Sequence, residues 1–201
     1  MRIFGRRRQR GQSLVEFTII VPIIMIMAFT VIEFGIAFGT NMSMVEATSA
    51  GSRVGAILVN GTTLANGGTL GCTGYPGATN VDPQIIAAVQ RVVESPGSGM
   101  TLANIDWVHI YESNASGGEV LTNVWTPSAG NGPTVCGVKL DFVQGAVGWP
   151  AANRSNTLPV SSIGVSIQYE YQLVTPISVL TGLFGGNKIA MFDSTVTALE
   201  P

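Results

Sequence analysis

From Phe17 to Gly39 the chain carries a single formal charge, Glu33. Wound as a helix, that apolar run reaches about 34 Å, enough to cross a hydrocarbon layer of about 30 Å. Pro22 lies near its start, where a helix tolerates proline best. Ahead of it stand Arg2, Arg6, Arg7, Arg8 and Arg10, half of the 10 basic residues. Such a cluster stays on the cytoplasmic side and sends the chain after the run outward. The remainder must therefore fold as an exported unit tied to a membrane helix. Glu33 lies toward the outer end of the run, where it can reach the interface.

The rest of the composition agrees. Charged residues make up 11% of the chain and glycine contributes 25 positions, against about 25% charged in ordinary soluble domains. That suits a turn-rich surface domain better than a cytosolic enzyme. After Asn41, five basic residues (Arg53, Arg91, Lys139, Arg154, Lys188) face ten acidic ones. This mildly acidic balance gives no reason to expect a nucleic-acid partner. Cys72 and Cys136 both fall in the exported part, where a disulfide closing the intervening loop would add a few kcal/mol; two free buried thiols are the alternative. No Cys or His spacing points to a metal or other cofactor.

Three readings of the N-terminus compete. A cleaved signal peptide would need a shorter apolar run and a better cleavage site than "AFG" at 37–39. A plain signal anchor explains the arginines and the length, but not Gly11 or Glu16. A prepilin-type leader explains all of them: a short basic segment, a glycine, then a helix with a glutamate five residues on. Here the order is Gly11, Gln12, Ser13, Leu14, Val15, Glu16, Phe17.

The stretch "RGQSLVEFTIIVPIIMIMAFTVIEFGIAF" resembles the start of TadE-like minor pilins, or pseudopilins, of the tight-adherence (Flp-type) pilus system. The matching features are Gly-Gln-Ser-Leu-Val-Glu-Phe, the proline six residues beyond Glu16, and a second "IEFG" at 32–35. "NMSMVEATSAGSRVGA" and the closing "VSIQYEYQLVTPISVLTGLFGG…TVTALEP" extend the resemblance, while about 60–160 carries none. The resemblance implies cleavage by a prepilin peptidase between Gly11 and Gln12, with Arg6, Arg7, Arg8, Arg10 and Phe17 as the processing context. It also implies that Glu16 neutralises the new N-terminal amine of a neighbouring subunit. A carboxylate at the edge of hydrocarbon costs several kcal/mol, which an ammonium partner offsets. The plainer reading leaves Glu16 in the headgroups, alone or beside Arg10.

Beyond the membrane, Ala47, Ala50, Gly51, Val54 and Leu58 form one narrow helical face, read as core packing. One helix is expected from about Gln12 to Val59. "VDPQIIAAVQRVVES" reads as a second helix, with Asp82 as N-cap and Pro83 at its first position. "IDWVHIYES", "EVLTNVWT", "TVCGVKLDFV", "GVSIQYEYQLV" and "KIAMFDSTVTALE" read as strands, and "PISVLTGLF" as a short helix. "GAVGWPAANRSNTLP" reads as a surface loop in which Trp149 is the best candidate for an exposed contact; Trp107 and Trp125 read as core. His109 alone in a strand reads as structural, and Asp106, Glu112 and Glu119 as a solvated set.

The expected fold is α+β: a long N-terminal membrane-spanning helix continuing into a small domain with an antiparallel sheet. The expected divisions are a leader over 1–11, a helix over 12–59 that spans the membrane at about 17–39, and an exported domain over 60–201. The function implied is non-enzymatic: a minor pilin that primes or joins a tight-adherence pilus. The implied partners are the prepilin peptidase, other minor pilins, the major pilin, the inner-membrane assembly platform and membrane lipid. The N-terminus would be cytoplasmic and the domain extracytoplasmic, at the bacterial inner membrane or in a pilus. A single-pass binding module, with the helix as mere tether, is the alternative.

Overall fold

The computed structural model describes residues 6–59, 61, 78–135, 137–155, 157, 160–176, 178, 182 and 186–199. The chain is a long N-terminal apolar helix followed by a small domain with an antiparallel sheet. Helix α1 runs Arg6–Leu58 and α2 Val81–Val93. The strands are β1 (Ile105–Ser113), β2 (Glu119–Pro127), β3 (Thr134–Val135), β4 (Val138–Lys139), β5 (Phe142–Val147), β6 (Ser162–Gln172) and β7 (Lys188–Ala198). Two compact units divide it: residues 1–37 with 172–189, and residues 38–171 with 190–201.

In the larger unit five strands lie in the order β5-β2-β1-β6-β7, with β1 antiparallel to both β2 and β6, and β2 antiparallel to β5. Alternation along these strands sends Val108 and Ile110 to the same face as their partners Ile167 and Val165. All four are fully buried, together with Ile163 and Trp125. The C-terminal part of α1 and α2 close over this face. A Cβ on Gly51 would stand 2.8 Å from Val89 of α2, and one on Gly55 would stand 2.5 Å from Ile163 and 3.0 Å from Ile85. Missing side chains at 51 and 55 are thus what let helix, helix and sheet approach. The small-residue face expected over 47–58 is core packing: Ala47, Gly51 and Leu58 are buried, and Gly55 and Ala56 join them.

A polar seam fastens α1 to the last strand. Thr48 donates to Asp193 and lies 2.9 Å from the Thr195 hydroxyl, while Thr197 donates to Ser52. Both helix residues are fully buried. Helix α1 stops at Val59, which takes φ 50, a left-handed conformation unusual for a β-branched residue. On the other sheet face the ring of Tyr111 lies across its cross-strand partner Gly164, where any Cβ would fall 2.2 Å from the ring.

Four expectations are corrected. Helix α1 begins at Arg6, not Gln12, because the basic residues are themselves good helix formers. "TVCGVKLDFV" is not one strand: β3 and β4 pair as a tight hairpin, Gly137 takes φ 75, and a new strand starts at Phe142. Asn80, not Asp82, stands at the N-cap of α2; Asp82 lies in the first turn and is buried. The loop after β5 is not a solvated surface loop. Its first residues continue the strand to Val147, and Trp149 is 2% exposed. The cause is Asn123 of β2, whose amide donates to the Trp149 carbonyl and accepts from the Trp149 N–H, each at 2.7 Å. The "PISVLTGLF" helix and both cysteines lie largely or wholly outside the described residues.

Candidate functional site

The first half of α1 exposes apolar surface along its length. Leu14, Phe17, Ile20, Ile24, Met27, Val31 and Phe34 are all exposed, Phe17 by 67% and Phe34 by 72%. The helix is long and apolar enough to cross a membrane, with a most apolar window of mean hydropathy 2.5 that is only 6% buried. A core helix of a soluble fold would have hidden such a face, so this surface is built for another apolar environment.

At its N-terminal end stand the residues singled out by the sequence. Gly11 lies inside the helix with open space where a Cβ would point. Packing therefore does not require glycine there. What glycine does supply is a helix that opens easily, since it costs about 1 kcal/mol relative to alanine in a helix interior. The Gln12 side chain donates to the Glu16 carboxylate at 3.1 Å across one turn. Glu16 and Phe17 are both exposed. Arg6, Arg7, Arg8 and Arg10 fall in the first turns, and their side chains lie outside the described residues.

A second carboxylate carries more structure than the sequence suggested. Glu33 is 5% exposed, accepting from the backbone N–H groups of Val174 at 3.0 Å and Thr175 at 2.7 Å. Two backbone donors on one carboxylate are strong, charge-assisted bonds. The "IEFG" repeat had drawn attention to this residue; its partner lies 141 positions away and nothing local announces it.

The larger unit holds a buried cluster. Arg154 donates to Asp82 at 2.6 Å and to the Trp149 carbonyl at 3.3 Å, with its guanidinium 4.6 Å from the Trp149 ring centroid. Asn123 adds a 2.7 Å bond to the other Asp82 oxygen. The group bridges α2, β2 and the loop after β5. It has no nucleophile, and reads as a staple.

On the sheet face bearing Tyr111, His109 lies 3.0 Å from Glu119 and stacks on Trp107 at 3.6 Å. Glu119 also accepts from Ser166, and Glu112 accepts from Ser161 at 3.4 Å. The acidic residues expected to be merely solvated are thus partly engaged. Trp107 is half-buried and Trp125 fully so. A groove of about 390 Å³ lies between Val54, Ile57, Ala87, Ala88, Val135 and Val138, with Arg91 and Glu94 on its lining. Partial desolvation pushes the Glu94 carboxyl above its ordinary range; the neighbouring Asp141 adds to this, and a hydrogen bond from Gln90 opposes it. Among the described residues no His, Cys, Asp and Glu gather to hold a metal.

The segment with the exposed apolar face and the Gly11–Glu16 spacing is the one that known proteins share. Residues 11–53 match the family model described as TadE-like protein. The TadE-like match begins at Gly11 itself, runs through Glu16 and Glu33, and ends on the buried half of α1. The match leaves the sheet, with the Arg154 cluster, outside its bounds. No curated protein and no solved structure matches the chain.

Proposed function

We propose that this protein is a prepilin-like minor pilin: made with a basic leader, cut after Gly11, and held by α1 in the membrane until it primes or joins a tight-adherence pilus. The observation that carries the reading is the exposed apolar face of α1 within a TadE-like segment that starts at Gly11. The role is structural, not enzymatic. While anchored, lipid covers the apolar face; in an assembly the helices of neighbouring subunits cover it, at about 25 cal/mol per Å² buried.

In this reading the Gln12 amine is exposed by cleavage and Glu16, one turn along, receives the amine of the next subunit. The 3.1 Å bond from the Gln12 side chain holds the carboxylate toward the helix start, where such an amine would arrive. The prepilin peptidase, other pilins and the inner-membrane platform are the partners proposed, with the N-terminus cytoplasmic and the domain outside. The test is the N-terminal sequence and intact mass of the protein isolated from its own membranes. A chain starting at Gln12 is the expected result. One starting at Met1 would reduce the protein to an anchored module, and one starting near Thr40 would end the pilin reading.

A further inference from the structure

Glu33 is the only formal charge on α1 between Glu16 and Glu46. It follows Glu16 by seventeen positions, about 25 Å along a helix axis. With Glu16 at the cytoplasmic headgroups, a hydrocarbon layer of about 30 Å places Glu33 just inside its outer edge. A bare carboxylate there would drag water into lipid. Instead it is buried and takes two backbone N–H groups, those of Val174 and Thr175. Those bonds fix residues 174–175 at the height of residue 33, hence at the outer membrane–water boundary.

The surroundings are made for that boundary. Val174 is 70% exposed, and Ile189 in the same unit is also exposed. The Leu173 N–H donates to the Asn187 carbonyl at 3.0 Å. Between these two residues the sequence, "LVTPISVLTGLFGGN", has no charged residue. Surface chain facing water would carry about a quarter charged residues. Apolar exposure, absence of charge, and a tie to a membrane helix at interfacial depth together suit the lipid surface.

We infer that the chain at Val174 and Thr175 makes a second membrane contact: it rests on the outer leaflet, pinned there by the Glu33 carboxylate. The inference depends on α1 crossing the bilayer, and the experiment separates the two. The full chain is reconstituted in phosphatidylcholine vesicles brominated either near the headgroups or deep in the acyl chains. Tryptophan fluorescence is read for Ile24→Trp, Val174→Trp and Val138→Trp, each against the wild type; all three positions are exposed. Deep bromine should quench the reporter at 24. Shallow bromine should quench the reporter at 174 at least about twofold more than the one at 138, and Glu33→Ala should remove that excess while leaving position 24 unchanged. If position 24 is quenched and 174 matches 138, this inference fails and the anchor stands. If position 24 is not quenched at all, the anchor fails and takes the inference with it. Shielding at 174 that appears only at high protein-to-lipid ratio, without bromine quenching, would make the face a contact between copies and overturn the lipid assignment.

Discussion

At Asp82 a carboxylate sits in the first turn of α2, where the helix dipole favours it, yet burial would make it costly alone. Arg154 and Asn123 remove that cost together, at 2.6 and 2.7 Å. Breaking such a pair leaves an uncompensated buried charge, so Arg154→Met should destabilise the fold by about 3–5 kcal/mol. Adding Asp82→Asn to that variant should recover part of the loss, as a denaturant-melt double-mutant cycle would read directly. Glu94 offers the opposite sign. Glu94 is an exposed residue whose carboxyl is pushed above the ordinary range chiefly by partial desolvation, so the folded state binds a proton more readily than the unfolded one. Stability is therefore lost as pH rises through that window. Glu94→Gln should raise the melting temperature near pH 7 and leave it nearly unchanged at about pH 3.5, where both states are protonated. An equal gain at both pH values would mean that ionisation of Glu94 is not involved.

Within α1 two glycines answer to different demands. At Gly55 the space is already taken by Ile163 and Ile85, so Gly55→Leu should overpack the core and cost about 1–3 kcal/mol. At Gly11 nothing stands within 4 Å of a Cβ, so Gly11→Ala should strengthen the helix by about 1 kcal/mol. If Gly11→Ala nonetheless accumulates uncut on a membrane immunoblot, the defect is in processing and not in folding. Normal cutting of that variant would remove Gly11 from the processing site. The apolar run, the α2 face, and strands β1, β2, β6 and β7 were legible because each shows an unbroken period of its own. The polar seam of Thr48 and Ser52 with β7 was not legible, because small hydroxyl residues fit solvent and interior alike. Trp149 misled, and the burial of Glu33 was missed, for a related reason. Their environments are set by Asn123 and by the Val174 and Thr175 amides, and a local pattern carries no information about partners far along the chain. Asp82 misled by two positions, since both Asn80 and Asp82 are good capping residues. The proposed processing site rests on a linear signal, a glycine, a spacing and a charge, to which the fold adds nothing.

For the molecule as a whole, the ranges of the two compact units matter. Helix α1 contributes residues up to 37 to one and residues from 38 to the other. A single element therefore serves two environments, with apolar side chains exposed along its first half and buried along its second. In the proposed role the subunit would leave lipid for a protein assembly without losing its fold, and the folded core does not depend on Glu16. That carboxylate is exposed, and its one described hydrogen bond is the local one from Gln12. Glu16→Ala should thus leave the melting behaviour of the domain unchanged. Cleavage after Gly11 should also proceed, because the glycine and the basic residues before it remain. Assembly is where the loss should fall. Each incoming subunit would bring an amine into an apolar setting without its counter-charge, a penalty of several kcal/mol, so incorporation should drop by at least about tenfold at 1.4 kcal/mol per decade. Counting assembled pili alongside the mass of the processed subunit reads both steps in one preparation. Wild-type pilus numbers with fully processed Glu16→Ala subunits would show that the carboxylate has no part in joining subunits, and the reason for its place at the membrane edge would have to be sought in lipid headgroups instead.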